Sequence, residues 1–169
     1  IVPQLQPSSS SKTPATQQKA SPSANLLGSW SLPQKWPVVG IHAALLPDGR
    51  VMSYGTNAAG DQTGKFIYDL WDSSSPNQDT GHMTLPNVTP TDLFCNAQTL
   101  LAGSGQLFLA GGDNFVNGRT TNTGNNNTAI FNPQDNKLQS GTNLNRARWY
   151  ASLTTLSDAS LYISGGLDG

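Results

Sequence analysis

One plan occurs three times along this chain: two short apolar stretches flank a tight turn, and glycine closes the unit. Residues 41–55 read IHAALLPDGRVMSYG, with Pro47-Asp48-Gly49 as the turn. Residues 97–112, AQTLLAGSGQLFLAGG, turn at Ala102–Gly105 and end on Gly111-Gly112. Residues 151–166, ASLTTLSDASLYISGG, turn at Ser157-Asp158-Ala159 and end on Gly165-Gly166. Val51, Leu107 and Leu161 hold equivalent places, so the unit recurs after 56 and then 54 residues. Short apolar runs bounded by turn formers predict strands.

A strand–turn–strand–Gly-Gly unit at a period near 50 residues is the mark of a kelch repeat, and the predicted fold class is an all-β, kelch-type β-propeller. The intervals after the glycines fit the outer half of each unit. Residues 66–72 (FIYDLWD) and 82–85 (HMTL) read as the outer strands of the first. TAIFN at 128–132, followed by a polar turn at Pro133–Asn136, reads as an outer strand of the second. Small residues on the inner strands let neighbouring sheets approach, while alternating apolar side chains pack between them. Residues 27–169 hold about two and a half such units, whereas propellers close with roughly 4–8. The expectation is therefore the first blades of a longer polypeptide, incomplete at the C-terminus, with the rest of that polypeptide as a partner.

Residues 1–26, rich in Ser, Pro, Gln and Thr, lack a periodic apolar face and are expected to be a disordered linker or tail. Charged residues make up 11% of the chain and the net charge is -1, so nothing points to nucleic acid or an acidic membrane surface. No apolar run approaches the roughly 20 residues of a membrane span. Two glycosylation sequons, Asn87-Val88-Thr89 and Asn126-Asn127-Thr128, join the low charge and polar tail in pointing to export, hence a secreted or cell-surface protein. Cys95 is the one cysteine. Alone it reads as a buried thiol, an intermolecular link or a reactive group.

Two short segments carry chemistry. Asp92-Leu93-Phe94-Cys95 precedes the inner strand of the second unit, and Arg146-Ala147-Arg148-Trp149-Tyr150 precedes that of the third. Their residues, order and placement resemble the copper-radical oxidases of the galactose oxidase and glyoxal oxidase families, the Arg-Trp-Tyr ending being closer to the glyoxal oxidase branch. The resemblance implies that Cys95 is joined by a thioether to the ring of Tyr150. It makes Tyr150 both copper ligand and radical site, with copper and the Cys-Tyr thioether as cofactors. A phenoxyl radical and copper each store one electron, so together they oxidise an alcohol or aldehyde by two electrons and reduce O₂ to H₂O₂. An ortho sulfur donates electron density into the ring and makes the radical easier to form.

The family's other copper ligands, a tyrosine and two histidines, match no position here, so the chain alone is expected to be inactive. His42 and His82 read as structural, His42 hydrogen-bonded in the interior and His82 at a strand start. The tryptophan that covers the thioether in galactose oxidase is replaced here by Leu167-Asp168-Gly169, so that a shield comes from Trp149, Trp36, Trp71 or the rest of the polypeptide, or is absent. NTGNNNT at 122–128 reads as a polar loop, and Trp30 and Trp36 as packing anchors. The Arg146/Arg148 pair reads as a donor between neighbouring units. The implied function is thus a secreted copper-radical oxidase acting on a primary alcohol, sugar hydroxyl or aldehyde. The alternative is a non-catalytic kelch propeller that binds carbohydrate or a surface protein, because one fold hosts both.

Overall fold

The computed structural model describes residues 23–30, 32–76 and 78–168. Most of the expected tail lies outside the described residues; its last residues enter a single helical turn, Ala24–Leu27. The chain divides at Gln34/Lys35, and every strand among the described residues lies in Lys35–Gly169. Trp30, expected to anchor packing, is instead 97% exposed.

The first unit is a four-stranded antiparallel meander of β1 (Val39–Leu45), β2 (Val51–Thr56), β3 (Ile67–Trp71) and β4 (His82–Pro86). Its first turn follows from Pro47-Asp48-Gly49. The Leu46 N–H bonds the Arg50 carbonyl at 2.8 Å, and Asp48 accepts from the Arg50 N–H at 3.0 Å and from its guanidinium at 2.7 Å. Gly49 takes the left-handed conformation, φ 87°, that such a turn requires. The third unit repeats the device: Asp158 accepts from the Ser160 N–H at 3.0 Å, and Ala159 stands at φ 67° in the place of Gly49.

The second unit is also four-stranded, in the order β10-β9-β6-β5, built from β5 (Ala97–Leu100), β6 (Leu107–Ala110), β9 (Thr128–Asn132) and β10 (Lys137–Ser140). Between β6 and β9 stands a hairpin of β7 (Asp113–Val116) and β8 (Arg119–Gly124), turning at Asn117-Gly118. Half of the segment expected to be a polar loop at 122–128 is therefore strand. The third unit is the hairpin β11 (Trp149–Thr155) and β12 (Leu161–Leu167).

The two four-stranded sheets share one core. Met52, Tyr54, Tyr68 and Leu70 from the first meet Leu107, Leu109, Phe131 and Leu138 from the second, with Leu46 and Leu93 among them. Burying such a side chain stabilises the fold by about 1.5–3 kcal/mol. The Tyr68 and Phe131 rings pack edge to face at 5.7 Å, and the Tyr68 hydroxyl donates to the Asn136 carbonyl at 3.0 Å. Arg50 donates to the Pro133 carbonyl at 2.7 Å, and Gln98 to the Ala43 carbonyl at 2.9 Å. These bonds fix how the inner strands of the two units face each other, which decides where Cys95 stands.

Among the described residues no helix is long and apolar enough to cross a membrane. The Asn87 side chain of the first sequon donates to the Gly64 and Thr91 carbonyls, both at 2.8 Å, and accepts from Thr89 at 2.7 Å. It is a structural tie, and a glycan on this nitrogen would replace one of its two donor hydrogens. Asn126 of the second sequon is exposed.

Candidate active site

The site begins in the turn that carries the chain from the first unit to the second. Asp92 accepts from the Phe94 N–H at 3.1 Å, and the Asn96 N–H bonds the Leu93 carbonyl at 3.3 Å. This tight winding puts Cys95 at φ 58°, a left-handed conformation that costs a side-chain-bearing residue roughly 1–2 kcal/mol. Its N–H donates to His42 Nε2 at 3.0 Å, and its carbonyl accepts from the Tyr150 N–H at 3.0 Å. Tyr150 is left-handed as well, φ 60°. Two strained residues 55 positions apart are thus joined by a backbone hydrogen bond, and strain held in place by surrounding bonds is common at functional sites.

The Gly111-Gly112 pair holds the layers together. The Gly112 N–H bonds the Arg148 carbonyl at 2.9 Å, the Asp113 N–H bonds the Phe94 carbonyl at 2.7 Å, and the Arg148 N–H bonds the Asn125 carbonyl at 2.9 Å. The Asn125 side chain reaches the Asp92 carbonyl at 3.3 Å and also the Asp113 carbonyl. Arg148 donates its guanidinium to the Gly165 carbonyl within its own unit, while its backbone makes the bonds to the second. Arg146 is exposed on a shallow pocket with Asn143 and Asn145.

Cys95 is 2% exposed and Tyr150 61%. The Tyr150 hydroxyl and the Cys95 sulfur stand near enough to shift each other's ionisation. Burial raises the thiol above its ordinary pKa, the Tyr150 hydroxyl and Trp149 indole partly offset this, and the charges of Asp113 and Asp92 add to the rise. The bond to Cys95, and then the thiol's charge, raise the Tyr150 phenol. Trp149, whose Nε1 is buried with no conventional partner, packs its ring 4.7 Å from that of Tyr150. Of the candidate shields it is the one beside Tyr150. Trp36 lies against Trp71 at 5.0 Å and His82 at 4.6 Å, and donates to Ser53 at 2.9 Å.

Neither histidine gathers with Tyr150 into a ligand set. His82, the first residue of β4, bonds buried Asp69 at 2.6 Å through Nδ1. His42 stacks on Tyr54 at 5.1 Å, and burial lowers its pKa. Among the described residues no group of three or more His, Cys, Asp or Glu could hold a metal ion. Tyr150 supplies an exposed phenol oxygen of the hard, ionisable type that copper accepts, as a single ligand.

Sequence reading passed over the buried carboxylates. Asp92 and Asp113 are 1% and 0% exposed, and each has one carboxylate oxygen without a hydrogen-bond partner. Burial, with Asp113 adding to it, pushes Asp92 up to about 6. The text around them, GGDN and TDLF, gave no sign that Asp113 acts on Asp92.

No family model matches the chain. Two curated galactose oxidases, from Gibberella zeae and from its strain PH-1, are each 29% identical over 147 residues, covering 83% of this chain and 19% of theirs. The chain thus spans about a fifth of the length of the curated relatives it matches. A solved structure described as a novel fungal alcohol oxidase with catalytic diversity among the AA5 family, in complex with copper, matches with a TM-score of 0.59 and 22% identity. That match covers 78% of this chain and 26% of the other. The chain is thus similar in sequence to curated galactose oxidases and in fold to a copper-bound alcohol oxidase.

Proposed function

We propose that the chain forms the first blades of a kelch-type β-propeller in a secreted copper-radical oxidase. In this reading the enzyme oxidises a primary alcohol, sugar hydroxyl or aldehyde with O₂ and releases H₂O₂. The observation that carries the proposal is the Cys95–Tyr150 contact. A buried thiol and an exposed phenol, 55 residues apart in sequence, are held side by side by a backbone bond of 3.0 Å and by two left-handed backbones.

Each residue then has a task. Cys95, buried and kept protonated, is protected from stray oxidation until it couples to the Tyr150 ring. Coupling breaks the S–H bond and one ring C–H bond, forms one S–C bond, and passes two electrons and two protons to O₂ as H₂O₂. Copper, when bound, would be held by the Tyr150 oxygen together with ligands from elsewhere in the polypeptide and would supply one of the two one-electron stores. Tyr150 holds the other as its phenoxyl radical, with the Trp149 ring limiting solvent on one side. The phenol is open to solvent on the other side, where a small alcohol or aldehyde can approach. The galactose oxidases that the chain resembles, and the copper-bound alcohol oxidase that shares its fold, support this reading.

Peptide mapping tests it. In the full polypeptide exposed to cupric ion and air, the peptides carrying Cys95 and Tyr150 should appear joined, lighter by two hydrogens than their sum. Cys95→Ser should keep the fold and abolish both the joined peptide and most of the turnover. Recovery of the two peptides separate and unmodified would refute the oxidase and favour a kelch module that binds carbohydrate or a surface protein.

A further inference from the structure

We propose that His42 is a positioning residue: its neutral imidazole, reaching across from the first unit, holds the Cys95 backbone in the turn that aims the thiol at Tyr150. This deepens the oxidase reading and rests on it. Cys95 precedes β5, and the partner of its N–H is His42 Nε2 at 3.0 Å. An amide buried there without that acceptor would be left unpaired. The carbonyl of the same residue, in the next peptide group, accepts the bond from Tyr150, so one residue of β1 holds the residue that Tyr150 grips.

The imidazole can play this part in one protonation state. An Nε2 that accepts the Cys95 N–H carries no proton, so the ring is neutral with its hydrogen on Nδ1. Protonation turns Nε2 into a donor facing a donor and breaks the bond. The ring is held for the neutral state. It stacks on Tyr54 at 5.1 Å with 14° between planes, meets Phe94 edge-on at 6.2 Å, and is half-buried. The titratable groups packed against it are Tyr54 and Cys95 themselves. Burial alone lowers its pKa, with no charged neighbour among the described residues contributing.

Two substitutions separate the acceptor from the ring. His42→Gln keeps an acceptor near the Nε2 position and never becomes a donor-only group, while His42→Phe keeps the stack on Tyr54 and has no acceptor. Two readouts are taken. One is the exchange rate of the Cys95 amide, followed by NMR on this chain at pH 7.5 and 5. The other is the rate at which the joined peptide forms in the full polypeptide with cupric ion and air.

In the wild type the amide should be protected at pH 7.5 and should exchange faster at pH 5 than the intrinsic acid slowing allows. His42→Phe should exchange about tenfold faster at pH 7.5 and couple about tenfold more slowly, as expected for an unpaired buried amide. His42→Gln should restore both and remove the acid-side change. Wild-type amide protection and coupling in His42→Phe overturn the proposal, as does loss of both in a folded His42→Gln. A wild type that protects the amide through His42 but forms no joined peptide refutes the oxidase reading, and with it the purpose assigned to the latch.

Discussion

Replacing Gly112 with alanine tests whether the glycine pair is what holds the site together. Gly112 stands at φ 119°, where a side chain is strained whatever the space around it. A Cβ there would also overlap the Asp92 carbonyl oxygen and lie 3.1 Å from that of Phe94 and 3.3 Å from Asn96 Cβ. The two carbonyl oxygens are backbone atoms and cannot swing aside. The Asp92 carbonyl holds the Asn125 side chain at 3.3 Å, and the Phe94 carbonyl holds the Asp113 N–H at 2.7 Å. Backbone strain of about 1–2 kcal/mol adds to the loss of one or two buried hydrogen bonds at about 1–3 kcal/mol each. A loss of about 2–8 kcal/mol follows, a large part of the 5–15 kcal/mol typical of a folded domain. Gly118 supplies the control. It is left-handed too, φ 80°, but has nothing within 4 Å, so Gly118→Ala should lose about 1 kcal/mol through the backbone alone. Urea unfolding of the two purified variants measures the difference. If Gly112→Ala lies within about 1 kcal/mol of Gly118→Ala, the site does not depend on this close approach.

Two further outcomes are expected. Burial, and then Asp113, hold the Asp92 carboxyl near 6, above its ordinary 3.8, so its protonated form favours the folded state. Its contribution is complete below about pH 4 and is lost as pH rises through about 6, removing on the order of 2–3 kcal/mol. Asp92→Asn should flatten that slope in urea titrations, and an unchanged slope would assign the pH dependence to other groups. Copper added to this chain should be lost on desalting, because Tyr150 is a single ligand and the described residues offer no cluster of three. Stoichiometric copper retained after gel filtration, measured by atomic absorption, would contradict that.

What the sequence made legible was local. The turn at Pro47-Asp48-Gly49 and the strands around it could be read because Asp and Gly specify that turn by their own chemistry, and both strands lie within a few residues of it. The same reasoning extended to 97–110 and 151–167 through the repeat. It missed the β7–β8 hairpin although Asn117-Gly118 is a strong hairpin signal, because the flanking residues are polar and lack the alternation that marks a half-buried strand. The pairing of Cys95 with Tyr150 was suggested by resemblance, and in the structure the Tyr150 N–H bonds the Cys95 carbonyl. The groups that make the contact geometrically possible could not be read. His42 lies 53 residues before Cys95 and Asn125 lies 33 after Asp92, and neither distance has a periodicity or a spacing rule attached to it. Such partners are fixed only when two sheets dock. Docking here is set by Tyr68 on Phe131, Arg50 on Pro133 and Gln98 on Ala43, none of which contains a reacting atom. The reactive pair is therefore local in its residue types and non-local in its geometry. For that reason a substitution at Gly112 or His42, which carries no side-chain chemistry of the reaction, is expected to disable it.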